Sequence, residues 1–144
     1  MTEAAVSGQA ICAITAPLAE GWAYKESITL LEPEGLANVI ASSEPIPAGM
    51  DARQYADAQG GLLNTEFPGY RELSLDAGPV FGGLEGFTRI FEWTPEQGQP
   101  VTQIQVYAVA DGRGLVATAT APTVEFSRFE LTLARVLQGI TFGR

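Results

Sequence analysis

Few side chains in this chain could do chemistry. There is no histidine, one cysteine at position 12 and one lysine at position 25. Without histidine, neither Ser-His-Asp nor Cys-His catalysis can be assembled, and histidine-based zinc sites are excluded as well. Lys25 and Ser27 lie two residues apart, hence on one face of a strand, and a Ser-Lys pair can serve acyl transfer. An exposed strand start explains the same pair, and we favour that interpretation.

Carboxylates are the other candidates for acid–base chemistry. Pairs could be drawn from Glu85, Glu92, Glu125 and Glu130. Because 17 of the 144 residues are Asp or Glu, some carboxylates must lie near others by chance. The acidic segment 32–34 lacks the D-x-D-x-D-G spacing of a calcium loop, and the glycines within 78–83 lack the G-K-[ST] of a phosphate loop. We therefore expect a protein that is not an enzyme, with no catalytic residues, no metal and no cofactor.

The charge balance limits the partners. Asp and Glu outnumber Lys and Arg by 17 to 8, which gives a formal net charge of −9. Binding to DNA or RNA by counterion release needs clustered Lys and Arg, and here they are scattered. No segment approaches the roughly 20 apolar residues of a membrane helix. We predict no nucleic-acid partner and no membrane insertion, and we expect a polypeptide partner with a basic or apolar contact surface.

Five residues are candidates for contact with that partner. Trp22 and Trp93 each stand beside turn residues, where they either pack over the ends of a sheet or form an aromatic wall for a partner. Gln103, Gln105 and Tyr107 share one face of a strongly alternating strand. That row is either a solvated sheet face or a face that hydrogen-bonds a ligand or another chain.

Most of the elements that would carry these residues are strands. Short apolar or alternating runs predict them at Ala10–Ala16, Glu26–Glu32, Leu36–Ser43, Tyr70–Asp76, Leu84–Thr94, Val101–Ala110 and Leu115–Ala121. The tripeptide 33–35, Pro-Glu-Gly, predicts a turn between the second and third of these runs. Asp111-Gly112 is the strongest hairpin signal in the chain.

Two helices complete the prediction. The first is capped by Asp51 and runs to about Asn64, with a narrow apolar stripe of Ala52, Tyr55, Ala58 and Leu62, and Gln59 beside it. Two adjacent glycines at 60 and 61 weaken this helix, so we expect another group to approach its backbone closely there. The second helix, Val124 to about Gln138, has a clear buried stripe of Phe126, Phe129, Leu133, Val136, Leu137 and Ile140.

This order of elements lacks regular strand–helix–strand alternation. It predicts an α+β fold, an antiparallel sheet of about six to seven strands with two main helices packed against it. We expect a disordered or frayed N-terminus at residues 1–8 and a single domain over residues 9–144. The lone Cys12 allows no internal disulfide, and residues 1–8 do not read as a signal peptide. A cytoplasmic protein is expected, unless a leader or a lipid anchor has been trimmed ahead of Met1.

The ordered landmarks of the chain resemble those of a known family. They are Pro17-x-x-x-Gly21-Trp22, Ser27-Ile28, Tyr55-x-x-x-Gln59, Phe67-Pro68-Gly69-Tyr70, Phe91-Glu92-Trp93, Val101-x-Gln103-x-Gln105-x-Tyr107, Ala117-Thr118-Ala119-Thr120-Ala121 and Leu137-x-Gly139-Ile140. Over about residues 10–142 this series resembles the DcrB-like family of small bacterial proteins. That family has relatives of the LpqN type and shares a wider fold group with the Mog and PsbP proteins.

The resemblance implies a binding or adaptor protein without catalytic machinery. One branch of the family consists of cytoplasmic chaperones that shelter hydrophobic segments of type VI secretion effectors and act as dimers. Membership of that branch, with a possible homodimer, is one alternative. A second is a leaderless relative of the actinobacterial type, and a third is a small-ligand or lipid-binding domain with an apolar cavity between the sheet and the last helix.

Overall fold

The computed structural model describes residues 8–143. The predicted frayed N-terminus therefore lies outside the described residues, except for Gly8. The elements are β1 (Glu26–Leu31), β2 (Asn38–Pro45), α1 (Ala52–Glu66), β3 (Arg71–Val80), β4 (Leu84–Trp93), β5 (Val101–Ala110), β6 (Arg113–Pro122) and α2 (Phe126–Gly139), with a short 3-10 turn (Thr123–Glu125) before α2. The predicted α+β fold, with an antiparallel sheet and two main helices, is confirmed.

All six strands belong to one antiparallel sheet in the order β1-β2-β6-β5-β4-β3. The hairpin signal at Asp111-Gly112 is confirmed, because both residues have positive φ, 53° and 74°, as a tight primed turn requires. The turn at 33–35 is also confirmed and ends on Gly35 with φ 75°. The two edges of the sheet are β1 and β3, and β5 and β6 lie near its centre.

The strand predicted at Ala10–Ala16 is wrong. Residues 8–24 have no helix or strand and are exposed throughout, with a single turn in which the Trp22 amide donates to the Ala19 carbonyl at 3.0 Å. A strand needs a neighbour for its ladder hydrogen bonds, and neither edge of the sheet pairs with this segment. The apolar side chains of the Ala10–Ala16 run therefore stay exposed.

The α2 helix packs over β6 and β2 on one face of the sheet, which we call the α2 face. Its predicted stripe is confirmed: Phe129, Leu133 and Leu137 are buried. Opposite them lie the alternate alanines of β6 and the even-numbered positions of β5, all buried: Ala117, Ala119, Ala121, Ile104, Val106 and Ala108. This face holds the main apolar core, because small strand residues let the larger helix side chains approach closely.

The α1 helix packs over β5 and β4 on the opposite face, which we call the α1 face. Asp51 caps it, since its side chain accepts the Gln54 amide at 2.8 Å while the Gln54 side chain accepts the Asp51 amide at 2.9 Å. The predicted stripe is right at Tyr55 and wrong at Ala58 and Leu62, which are exposed. Tyr55, Ala56 and Leu63 are the buried residues, because α1 turns these positions toward the polar side chains of the sheet.

Each helix covers only half of its face. The α1 helix lies over β4 and β5, and α2 lies over β6 and β2, so the two helices sit diagonally across the sheet. The part of the α2 face formed by β3 and β4 consequently has no helix above it. None of the helices among residues 8–143 is long and apolar enough to cross a bilayer.

Candidate functional site

Gln103, Gln105 and Tyr107 lie on the α1 face, directly beneath α1. Tyr107 is fully buried, and Gln103 and Gln105 are each 9% exposed. The alternation that placed the three on one face is correct. The expectation that this face is open to solvent or to a partner is wrong, because α1 covers it. These side chains act inside the protein in this conformation.

Arg89 of β4 is the centre of the polar cluster under α1, and its side chain is only 3% exposed. Its Nε donates to the Glu72 carboxylate at 2.9 Å, and its Nη1 donates to the Tyr107 hydroxyl at 2.8 Å and to the Ala56 carbonyl of α1 at 3.1 Å. The Tyr107 hydroxyl in turn donates to Gln105. One guanidinium thus connects three strands of the sheet to the helix above them.

Tyr107 and Arg89 each keep one protonation state near neutral pH. Burial raises the pKa of the Tyr107 hydroxyl to about 12, against the opposing pull of the Arg89 guanidinium. Burial lowers the pKa of Arg89, but Tyr107 and Glu72 outweigh it and the net direction is upward. Tyr107 therefore stays neutral and Arg89 stays charged, which suits the positioning of α1 better than proton transfer.

The prediction of close backbone approach at the paired glycines is correct at Gly60. A Cβ there would lie 2.5 Å from the Arg89 Nη2 atom, whereas a Cβ on Gly61 would meet nothing within 4 Å. Gly114 plays a similar part on β6, where a Cβ would lie 2.5 Å from the Tyr55 ring. Glycine at these two positions lets the guanidinium and the tyrosine ring reach the backbone.

The two tryptophans differ in their surroundings. Trp93 ends β4, stacks on Phe67 with ring centroids 4.1 Å apart, and donates from Nε1 to the Gln103 side chain at 2.7 Å. The Gln103 side-chain amide in turn donates to the Thr120 hydroxyl at 2.6 Å. Trp93 thus packs over the end of the sheet. Trp22 is 73% exposed in the segment before β1 and does not join the other four residues. Its role as a partner contact stays a prediction.

A groove opens on the α2 face, on the side of α2 that faces β4 and β3. Its volume is about 520 Å³. Apolar side chains from three strands and the helix form most of its wall: Val80, Phe81, Ile90, Ile104, Val106, Ala134 and Leu137. Thr88, Glu130 and Gln138 supply its polar groups. The alternative of a cavity between the sheet and the last helix predicted such a feature.

Lys25 and Ser27, considered above for acyl transfer, lie at the exposed start of β1. Lys25 pairs with Glu44, with Nζ and carboxylate oxygen 3.4 Å apart, and Ser27 is exposed on β1, as expected for a strand start. Among the described residues, no three Cys, Asp or Glu side chains come close enough to hold a metal ion.

Arg89 and the groove were missed by reasoning from the sequence. Arg89 carries a signal in retrospect, because it is the one charged residue in the row Phe87, Arg89, Phe91 and Trp93 on a single strand face. A charge between aromatic residues on a covered face needs internal partners. The groove has no comparable local signal, since it depends on where α2 lies across the sheet.

The comparisons with known proteins concern both family and fold. The model of the family described as DcrB matches residues 18–137. No curated protein matches the chain. A Pseudomonas aeruginosa protein of unknown function, PA94, described as a proposed regulator, has a similar structure, with a TM-score of 0.72 and 15% identity over 88% of this chain and 90% of that one.

Two further solved structures share the fold. LpqN of Mycobacterium tuberculosis, described as involved in cell envelope biogenesis, aligns with a TM-score of 0.55 and 18% identity over 74% of this chain and 62% of that one. The solution structure of cyanobacterial PsbP from Synechocystis aligns with a TM-score of 0.52 and 9% identity over 76% and 78%. At these identities the likeness concerns the fold.

Proposed function

The chain belongs to the DcrB family, and from that premise we propose that it is a non-enzymatic binding protein that takes an apolar segment of another polypeptide into the groove on its α2 face. The observation that carries the proposal is the groove itself, an open cavity of about 520 Å³ with a mainly apolar wall. Apolar surface of this kind gains free energy when it is covered, by roughly 25 cal/mol for each Å² removed from water.

The groove is built from rigid elements. Ile90, Ile104 and Val106 project from the two strands that form its floor, and Ala134 and Leu137 project from α2 at its side. The short Ala134 side chain keeps the helix side of the groove open. A site on strands and a helix keeps its shape when empty, and such preorganisation lowers the entropic cost of binding.

The neighbouring sheet edge favours insertion of side chains over strand addition. The edge strand β3 has a bulge between Glu72 and Ser74, and Pro79 lies within its last residues. A bulge and a proline both weaken pairing with an added strand. A client segment would therefore be held by apolar side chains in the groove instead of by main-chain hydrogen bonds along β3.

The same cavity also favours a second candidate, a small apolar ligand or a lipid chain. Ligand sites commonly have volumes of about 300–1,000 Å³ with apolar walls and a few polar groups, which is the character of this groove. The chaperone alternative uses the groove for a hydrophobic effector segment. It predicts a neighbouring gene for an effector with apolar segments, and a neighbourhood without secretion genes would remove it.

One binding experiment separates these candidates. Ala134→Glu places a charge in the groove, and Val124→Glu adds the same charge at a residue that is 87% exposed ahead of α2. We expect a fluorescent Leu/Ala-rich peptide to bind the wild type, with at least tenfold weaker binding to Ala134→Glu and less than a twofold change in Val124→Glu. Binding of a fluorescent fatty acid but not of the peptide would favour the second candidate. If neither probe binds the wild type, or if Ala134→Glu changes neither affinity, the groove is not the binding site.

A further inference from the structure

The segment of residues 8–24, which we call the arm, carries more apolar surface than an exposed chain needs. All of its residues are exposed. Five of them are large and apolar: Ile11, Ile14, Leu18, Trp22 and Tyr24, with exposures between 49% and 86%. Single exposed hydrophobic residues are ordinary, but five within 14 consecutive positions form a patch of the kind that marks an interaction site.

The composition of the arm matches an apolar surface. Residues 9–19 include no charged side chain, in a protein whose formal net charge is −9. A solubilising or disordered tail is typically rich in charge and poor in branched aliphatic residues, which is the opposite composition. An uncharged aliphatic segment fits a groove whose wall is mainly apolar and whose one charged group is Glu130.

The arm is attached to the sheet at Tyr24, at the same end of the sheet as the groove. Arg113, the first residue of β6, donates to the Tyr24 carbonyl at 2.8 Å, and its guanidinium lies 4.1 Å from the centre of the Tyr24 ring. In an antiparallel sheet the start of β6 lies at the end where β3 turns into β4, and that turn borders the groove. The 14 residues from Ile11 to Tyr24 span at most about 45 Å.

We propose that the arm of one copy of this protein occupies the groove of a second copy, with the aliphatic side chains Ile11, Ile14 and Leu18 inserted, and that the exchange is reciprocal. The inference rests on the proposed function, because it names the resting occupant of the groove that a client displaces. On its own copy the arm stays exposed apart from the contact of Tyr24 with Arg113. A second copy supplies an apolar groove that covers the aliphatic side chains of the arm. Reciprocal exchange pairs both arms with both grooves in one twofold interface.

The contact between the two copies is small. Three aliphatic side chains enter each groove, and reciprocal exchange doubles this contact without bringing it to the ~1,600 Å² of a standard interface. We therefore expect a dimer that dissociates readily on dilution. Because the contact is apolar and each copy is strongly acidic, added salt should tighten the dimer by screening repulsion between the copies.

Cys12 provides the test, since it is the single cysteine of the chain and lies in the arm directly after Ile11. Gln138→Cys adds a partner thiol in the groove wall, and Val124→Cys adds one ahead of α2, away from the groove. Under mild oxidation we expect a disulfide-linked dimer from Gln138→Cys at several times the yield from Val124→Cys. The Cys12→Ser/Gln138→Cys variant should lose it.

Two results would overturn the proposal. A disulfide formed within one chain would place the arm in its own groove, and equal yields from Gln138→Cys and Val124→Cys would place it in neither. Sedimentation supplies an independent measurement. The triple variant Ile11→Ser/Ile14→Ser/Leu18→Ser should dissociate at least tenfold more readily than the wild type, with an unchanged circular dichroism spectrum because the arm does not contribute to the core.

The groove variant separates this inference from the proposed function. Ala134→Glu should weaken the dimer as well as the binding of the Leu/Ala-rich peptide, and Val124→Glu should change neither. If the wild type is monomeric but Ala134→Glu still loses the peptide, the arm exchange is wrong and the proposed function stands. If Ala134→Glu alters neither measurement, both are wrong.

Discussion

On the α2 face, the helix is held mainly by apolar packing of Phe129, Leu133 and Leu137 against small strand residues. On the α1 face, the helix rests on a polar cluster centred on a guanidinium that is almost fully buried. Hydrogen bonds are directional, so Arg89 specifies where the Ala56 carbonyl, and with it α1, must lie. Apolar packing is less directional, so it specifies the position of α2 less narrowly. Beside α2 the sheet remains open as a groove.

The difference also concerns what each face can do. The α1 face uses its polar groups on one another, from Glu72 through Arg89 and Tyr107 to Gln105. These four side chains are hydrogen-bonded to one another, which makes them a structural network. The α2 face leaves apolar surface uncovered, and that surface is available for binding. The comparison therefore assigns structure to the face that looked functional in the sequence, and proposed function to the face that looked like ordinary core.

The largest expected effect is at the polar cluster. Arg89→Met should lower the free energy of unfolding by ~3–5 kcal/mol, because it leaves the buried Tyr107 hydroxyl and the Ala56 carbonyl without the donor they share. Hydrogen exchange should show faster opening of α1 than of α2. Urea unfolding gives the stability, and a loss below 1 kcal/mol would mean that the cluster does not hold the helix.

The matched change on the other face is Leu133→Ala. It removes a buried side chain from the apolar core and should cost ~2–4 kcal/mol, through lost burial and the cavity that remains. Hydrogen exchange should here show faster opening of α2. Equal acceleration in both helices, for this variant and for Arg89→Met, would show that the two faces unfold as one unit and would remove the distinction between them.

The two adjacent glycines of α1 sharpen the comparison within one helix. Gly60→Ala should destabilise by ~1–3 kcal/mol, because its Cβ would collide with a guanidinium held by three hydrogen bonds. Gly61→Ala should stabilise by ~0.5–1 kcal/mol, because its Cβ meets open space and alanine favours the helix. Thermal unfolding checks both, and the same sign for the two variants would contradict this geometry.

The last expected effect is on pH dependence and is absent at neutral pH. Burial raises the pKa of Tyr107 to about 12, and it raises the pKa of Tyr55 and of Tyr70 as well. A raised pKa means that the folded state favours the neutral hydroxyl, so this stability is fully present below pH ~10 and is lost as the pH rises toward 12. Tyr107→Phe should flatten urea stability curves between pH 10 and 12. An unchanged slope would show that Tyr107 does not control alkaline unfolding.

Local signals account for much of the fold. The strand Val101–Ala110 is predicted with its observed bounds, because strict alternation and the Asp111-Gly112 turn are both local properties. The buried stripe of α2 is likewise predicted by the spacing of its apolar residues. The strand predicted at Ala10–Ala16 fails for a non-local reason. Its composition suits a strand, but no edge of the sheet is paired with it.

The candidate site was less accessible to prediction. Alternation places Gln103, Gln105 and Tyr107 on one face correctly, but it does not tell whether a helix covers that face. The predicted apolar stripe of α1 leaves out Ala56, which is buried. Its carbonyl accepts a hydrogen bond from the buried Arg89, and this contact sets the orientation of the helix. The groove arises from the half of the sheet that α2 leaves bare, and no spacing along the chain encodes that half.

By itself the sequence determined the six strands of the sheet, the hairpin turn, the two helices and the lack of histidine-based chemistry. These follow from side-chain periodicity, from glycine at a turn that needs positive φ, and from composition, all of which act within a few residues. The tertiary structure alone decided which half of each sheet face a helix covers. That choice depends on contacts such as the one from Arg89 to Ala56, 33 residues apart, whose free energy exists only once the chain has folded.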